Sequence, residues 1–312
     1  MGYLYALLGA LLFGANGSLA KLLVEGGLSA TQLTLFRSLG TMLLAGLVLL
    51  VTDRSAFRLA PRQLLVMAVL GVGGVALVQA TYAAALASLP VGVTLLLQYT
   101  AVLMVALFAF LVFKERVKAR LWVAIGLVLL GLCAVARPWE ARLDPTGVAF
   151  AAVAAVTLAF YFLVGERQVG RTSPLAVAFW TMLFASVFWG LFSAWWELDP
   201  GAFAQPLDVG GRWGSWELPL GIPLLATVVG GSFLAFLLSF SALKHLSATA
   251  AGIVASAEVV FAFAVAWVWL GETLDPVGIA GLAEPHPGDG EREHHLGRRD
   301  DAGRRRREVL EG

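Results

Sequence analysis

The sequence is poor in residues that do covalent chemistry. It holds one cysteine, Cys133. That excludes an intrachain disulfide framework and any site built from several thiolates. Of its four histidines, only His245 precedes residue 286. No Gly-rich phosphate loop of the G-x-x-x-x-G-K-[ST] type occurs, which argues against direct coupling to ATP. Charge is scarce as well, at 14% of residues with a net of +1. An intramembrane enzyme needs paired groups at depth, such as two acids or a Ser–His pair. The apolar segments offer one deep acid and no central histidine, so an enzyme is not expected.

What the chain does have is hydrocarbon. It is 59% hydrophobic with a mean hydropathy of +0.81, far from the balance of a water-soluble domain. Nine long apolar runs cover about 3–23, 30–51, 64–87, 91–113, 120–137, 147–165, 174–196, 219–243 and 247–270. Each approaches the roughly 20 helical residues that cross a hydrocarbon layer of about 30 Å. The first lacks a basic leader and a cleavage site, so it reads as a retained helix rather than a signal peptide. Asn16-Gly17-Ser18 fits the glycosylation pattern but lies inside that run and is read as chance.

The chain also repeats itself. Residues 72–117 align without a gap on residues 229–274, at a constant offset of 157. Gly73-Gly74 falls on Gly230-Gly231, Ala85-Leu86 on Ala242-Leu243, Leu89 on Leu246 and Glu115 on Glu272. Each copy belongs to a block of five segments, 1–140 and 141–283. Five crossings leave a chain on the side opposite its start, so the second block is expected upside down. Inverted repeats of this kind mark secondary transporters, with a binding site near the midplane between the halves. The fold class expected is an all-α polytopic membrane protein, a ten-helix bundle of two inverted five-helix repeats with nine complete spans and a truncated tenth.

That truncation is abrupt. A tenth helix begins at Pro276, but Glu284-Pro285-His286-Pro287 stops the apolar run, and residues 284–312 are rich in Gly, Arg, Glu and His. The composition predicts a disordered tail, of the kind a reading-frame shift would leave. Glu293-His294-His295 within it is not read as a metal site.

Loop charges orient the bundle. Arg54, Arg58, Arg62, Lys114, Arg116, Lys118, Arg120, Arg167, Arg171 and Lys244 follow segments 2, 4, 6 and 8, whereas Lys21, Arg137, Arg142 and Arg212 fall on the other side. The richer set is expected to be cytoplasmic, with the N-terminus inside. The loop around 197–217 then faces out, and its neighbours Trp195, Trp196, Trp213 and Trp216 suit the headgroup layer.

The pattern resembles the EamA-type permeases of the drug/metabolite transporter superfamily. The resemblance rests on Leu12-Phe13-Gly14-Ala15-Asn16 with Lys21, on Arg37, on Ala85-Leu86 with Leu89-Pro90, and on Lys114-Glu115-Arg116. In the second half it rests on Ala242-Leu243-Lys244-His245-Leu246 and Gly271-Glu272-Thr273. It covers about residues 3–282. The chain departs from it at Val102 and Val259, where such permeases often carry proline, and in the shortened tenth segment. The resemblance implies ten helices with both ends cytoplasmic and movement of small metabolites, amino acids among them. Multidrug efflux is the alternative of the same class.

Polar groups deep in a bilayer are costly and usually face a cavity or a partner. Glu258 is the one acid deep in a span, and its counterpart by the repeat is Ala101, beside Gln98-Tyr99-Thr100. The inverted symmetry therefore brings two polar patches to similar depth. A carboxyl there can carry a proton or pair with a substrate amine. Arg37 can receive a carboxylate with its fork of donors or snorkel to the outer surface. Asn16, Gln79, Tyr82, Gln98, Tyr99 and Ser256 are further cavity candidates, and Trp180, Phe13 and Trp267 are candidate walls. Glu115 and Glu272 suit the free N–H groups of the helix that follows each, a structural or gating role. Gly73, Gly74, Gly230 and Gly231 allow close helix approach or bending. The expected partners are a small-molecule substrate and membrane lipid, with no nucleic acid, no cofactor and no metal. The expected location is a prokaryotic inner membrane.

Overall fold

The computed structural model describes residues 1–112, 114, 118–136, 138 and 143–271. Glu115, Glu272, the start of a tenth segment and the tail all lie outside them. Nine apolar helical segments follow one another: α1 (Gly2–Glu25), α2 (Ala30–Thr52), α3 (Pro61–Leu86), α4 (Val91–Tyr99 and Ala101–Leu111), α5 (Ala119–Ala136), α6 (Pro145–Val169), α7 (Pro174–Phe192), α8 (Gly221–Leu243) and α9 (Ala248–Leu270). Eight of them are long and apolar enough to cross a membrane, and α5 is shorter. The chain is an all-α polytopic membrane protein.

Helix starts are written in the sequence. Ser29 accepts from the backbone of Gln32 while the Gln32 side chain accepts from Ser29 N–H, a capping box that satisfies two of the donors a helix leaves free. Asp144 and Ser173 cap α6 and α7, each ahead of a proline. Proline suits the first helical position because it has no N–H to leave unpaired. Ser247 caps α9.

Burial is inverted relative to a soluble bundle. Leu43, Leu47, Leu127, Leu130 and Leu191 are exposed on the outside, where lipid chains meet them. Between helices the chain uses small residues, with Ala45, Ala76, Ala101, Ala154 and Ala178 wholly buried. Lipid is as apolar as leucine, so helices associate through close packing rather than water exclusion. Gly14 shows the limit of this. A Cβ there would stand 2.7 Å from Glu258 O and Ala262 N, so α1 lies directly on the backbone of α9.

The packing exchanges the two halves. Helix α1 packs on α8 and α9, whereas α6 packs on α3 and α4. Helices α2 and α7 pack on each other and run antiparallel, since Gln32 reaches Ala194 while Gly46 meets Phe179 and Ala56 meets Trp180. The correspondence extends to single residues. Gly2 abuts His245 and Leu246, and Gly147 abuts Ser88 and Leu89; Gly231 abuts Asn16, and Gly74 abuts Tyr161. One offset, 145, relates α1 to α6, and another, 157, relates α3–α4 to α8–α9. The difference is taken up by the longer α7–α8 connection.

That connection differs from the sequence reading. Helix α7 stops at Phe192 rather than 196, because Ala194 turns into the left-handed region (φ 47°) and Trp195–Glu197 form a single tight turn. Beyond it, Pro206–Asp208 (β1) and Glu217–Pro219 (β2) pair antiparallel, the only strands among the described residues. The Asp208 carboxylate accepts from the backbones of Gly210 and Trp216, both at 2.9 Å, which holds it below the ordinary carboxylate range. The Trp269 indole donates to Val209 O at 2.9 Å, so the hairpin is tied to the end of α9. Trp195, Trp196, Trp213 and Trp216 are all exposed.

Candidate functional site

Two pairs of helix irregularities build the site. In α3 and α8 the hydrogen-bonding pattern widens to π-helix over Gly71–Ala76 and Val229–Leu234, at nearly matched places in the repeat. Such bulges leave backbone carbonyls less regularly paired and concentrate at functional sites. In α4 and α9 the helix breaks at Thr100 and Ser256, with φ/ψ of −59°/−16° and −62°/−17°. The cause is local and shared. Thr100 Oγ1 bonds back to Leu97 O at 2.6 Å and Ser256 Oγ to Ile253 O at 2.7 Å. Hydroxyls bonding back within their own helix bend it.

Those breaks set Tyr99 and Glu258 face to face. Tyr99 Oη donates to Glu258 Oε2 at 3.0 Å and lies 3.3 Å from Ala255 O. From α2, the Arg37 Nε donates to Ser232 Oγ at 2.8 Å, inside the second π segment. Arg37, Tyr82 and Tyr161 all lie within electrostatic reach of the Glu258 carboxyl. The Tyr161 hydroxyl pairs with Ser239 Oγ at 3.1 Å. Arg37, Gln79, Tyr82, Gln98 and Glu258 are each half-buried, while Tyr99 and Asn16 are buried. Gln79 Oε1, Gln98 Oε1 and Asn16 Oδ1 are enclosed acceptors without a hydrogen-bond partner, a costly condition unless something else supplies a donor.

Of the residues singled out from sequence, Tyr99, Arg37 and Tyr82 stand around Glu258, while Trp180 and Trp267 stand elsewhere. Ser256 is engaged with its own helix. Trp180 donates to Ala56 O at 3.0 Å, meets Phe179 edge-on and stacks by Phe184, at the end of the bundle near the turn that follows α2. Trp267 is exposed. Phe13 packs edge-on against Phe236. Of the glycines, Gly74 and Gly231 are the tight ones, while Gly73 makes only ordinary contact and Gly230 faces open space. Sequence reading passed over Ser232, Tyr161 and Ser239. The aligned repeat began at residue 72, so the offset that pairs Tyr161 with Asn16 was not visible in it.

Besides the α2–α7 contact, the cross-packing that joins α3–α4 to α8–α9 is concentrated at one end. The second piece of α4 packs on the first piece of α9, and α6 and α7 pack on the last part of α8. A Cβ built on Gly252 would stand 3.5 Å from Val102 and 3.6 Å from Phe162 across this seam. At the other end no comparable packing joins the first piece of α4 to the second piece of α9, or α1 and α2 to the last part of α3, among the described residues.

Comparison with known proteins agrees with this architecture. A solved crystal structure with 18% sequence identity superposes with a TM-score of 0.68, covering 92% of this chain and 90% of that one, which establishes the fold. The threonine/homoserine exporter RhtA of Escherichia coli (strain K12) is 28% identical over 196 residues, 62% of this chain and 60% of the exporter. The chain thus matches about three fifths of the length of that curated relative. An uncharacterized transporter of Archaeoglobus fulgidus is 29% identical over 204 residues, 65% of this chain and 67% of that protein. The EamA-like transporter family matches residues 1–137 and again 145–283, the same two halves that the packing exchanges. The chain belongs to the EamA-like transporter family.

Proposed function

We propose that this protein is a secondary transporter that moves a small zwitterionic metabolite, an amino acid or close analogue, by alternating access between two inverted halves. The observation that carries the reading is the Glu258–Tyr99 pair facing the Arg37–Ser232 pair. It sets an acid and a guanidinium, from two different helices, into one polar region at mid-span. Arg37 takes the substrate carboxylate through its planar donors, with Ser232 and Asn16 beside it. Glu258 takes the ammonium group or carries a coupling proton. Gln79 and Gln98 add enclosed acceptors without a protein donor. Half-buried polar side chains at this depth suit a hollow rather than a packed core.

The antiparallel run of α2 and α7, together with the exchange of packing partners, supports the inverted arrangement. The charge distribution of the loops puts the N-terminus and the turn at 244–247 in the cytoplasm. On that orientation the sealed seam is cytoplasmic, and the polar region opens outward. The exporter among its relatives supports amino acids as the first solutes to test and a bacterial inner membrane as the location.

The test is flux in sealed proteoliposomes under a defined pH gradient, with threonine, homoserine and the other amino acids offered singly. Wild-type protein is expected to carry at least one of them above protein-free vesicles, and Glu258→Gln to lower that flux on the order of tenfold or more. Equal flux in Glu258→Gln would remove the carboxyl from the mechanism. Flux of lipophilic dyes without any amino-acid flux would favour multidrug efflux.

A further inference from the structure

One side chain crosses the sealed seam to hold it. Glu166, near the end of α6, accepts a hydrogen bond through Oε2 from the backbone N–H of Ala248 at 2.9 Å. Ala248 is the first residue of α9. Its helix start already has Ser247 as a cap, so Glu166 is a second acceptor reaching it from α6, a helix that packs mainly on α3 and α4 and also on the ends of α8 and α9. A carboxylate at a helix start combines a charge-assisted bond with a favourable dipole. Next to it, a Cβ built on Gly165 would stand 3.2 Å from Leu243 and 3.5 Å from Phe240, so α6 and α8 close together at the same level.

The residue correspondence set out above says what stands at the matched place in the other half. Gly2 on His245–Leu246 answers Gly147 on Ser88–Leu89, and Asn16 on Gly231 answers Tyr161 on Gly74. The same two offsets carry Glu166 to Lys21, and Ala248 to Val91, the first residue of α4. When the halves exchange roles and the outer end closes, Lys21 approaches the start of α4 as Glu166 approaches the start of α9 here. An ammonium group has donors and no acceptor. It cannot cap an N–H, and its charge opposes the positive end of a helix dipole.

We propose that Glu166 is the positioning residue of the cytoplasmic gate, and that the Glu166/Lys21 asymmetry sets which way the empty carrier faces. This rests on the alternating-access reading. One end of the molecule is built to latch and the other is not, so the outward-open form is the resting state. Substrate binding then has to release the Glu166 bond before the cytoplasmic seam can part. Losing a hydrogen bond to a charged group shifts a two-state balance by about tenfold or more.

The experiment reads both ends at once. In a Cys133→Ser background, one reporter thiol is placed in the seam as Ala251→Cys, which is buried there. A second, in separate protein, is placed at Gln79→Cys in the polar region. Reaction with a small water-soluble maleimide is timed in the full-length protein reconstituted without substrate. Glu166→Gln and Glu166→Ala are expected to raise the rate at 251 and lower it at 79, each by about tenfold. Lys21→Glu, which puts an acceptor at the opposite membrane face, is expected to move both rates in the same directions. A reporter rate at 251 that stays unchanged in all three variants overturns the proposal, as does a parallel rise at both positions, the signature of general loosening. Amino-acid flux in the otherwise wild-type protein reads the transport assignment separately. Intact flux with an unmoved labelling ratio rejects the latch alone.

Discussion

Two adjacent glycines in α8 should respond oppositely to the same methyl group. A Cβ built on Gly231 falls within van der Waals overlap of three Asn16 atoms, including Asn16 Cβ, which a change of rotamer cannot move. A Cβ on Gly230 meets nothing within 4 Å. Gly231→Ala must therefore push α1 away from α8. Overpacking of this kind costs about 1–3 kcal/mol. Against it stands the gain of replacing glycine in a helix, roughly 0.5–1 kcal/mol. Gly231→Ala should be destabilising by up to about 2 kcal/mol, and Gly230→Ala neutral or stabilising by up to about 1 kcal/mol. The matched pair in α3 provides an internal repeat of the test. At Gly74 a Cβ would stand 3.2 Å from the Tyr161 Cα, whereas at Gly73 the nearest atom is an ordinary 3.6 Å away on Phe160. Gly74→Ala should follow Gly231→Ala, and Gly73→Ala should follow Gly230→Ala. The assay is the melting temperature of purified protein in one detergent, read by intrinsic fluorescence or by loss of the monodisperse peak. If Gly230→Ala and Gly231→Ala melt together, the close approach of α1 to the π segment is wrong. With it would go the pairing of Asn16 with Tyr161 on which the correspondence of the halves depends.

Further outcomes are expected. Tyr99→Phe removes the hydroxyl that meets Glu258 at 3.0 Å and leaves a polar acceptor one bond short, at about 1–3 kcal/mol; amino-acid flux should fall by at least severalfold at unchanged expression, and flux equal to wild type would place the pair outside the transport path. Arg37→Lys keeps the charge but loses the planar fork, so the apparent affinity for amino acids should weaken more than the maximal rate, as initial-rate saturation curves would reveal. The Asp208 carboxylate is held below its ordinary range by backbone donors, so its contribution to the α7–α8 hairpin is present at neutral pH, above the unfolded value, and is lost as pH falls through the depressed folded value. Emission from Trp213 and Trp216 should therefore shift on acidification, and Asp208→Asn should weaken that response; an identical titration in the variant would assign it elsewhere. Trp269→Phe cuts the bond to Val209 O and should raise protease sensitivity between residues 209 and 216 while sparing the helices.

Much of the architecture could be read from one dimension because a bilayer imposes a one-dimensional rule. A span must be apolar for its whole length and must satisfy its own backbone. Hydropathy therefore placed the nine segments to within a few residues, and the repeat of residues 72–117 marked corresponding positions in α3–α4 and α8–α9. The sequence also singled out Glu258, since an acid amid hydrocarbon needs a reason to be there. Only the tertiary structure decided which helices are partners. The packing of α1 on α8 and α9, the seating of Asn16 on Gly231, the bond from Arg37 to Ser232 and the reach of Glu166 to Ala248 join residues between 82 and 248 positions apart. Periodicity cannot report such pairs, because it records which face of a helix is apolar and is silent on what lies against it. The breaks at Thr100 and Ser256 escaped for a related reason. A hydroxyl in a helix can bond back to its own turn or outward to a neighbour, and the surroundings that choose between the two exist only once the chain has folded.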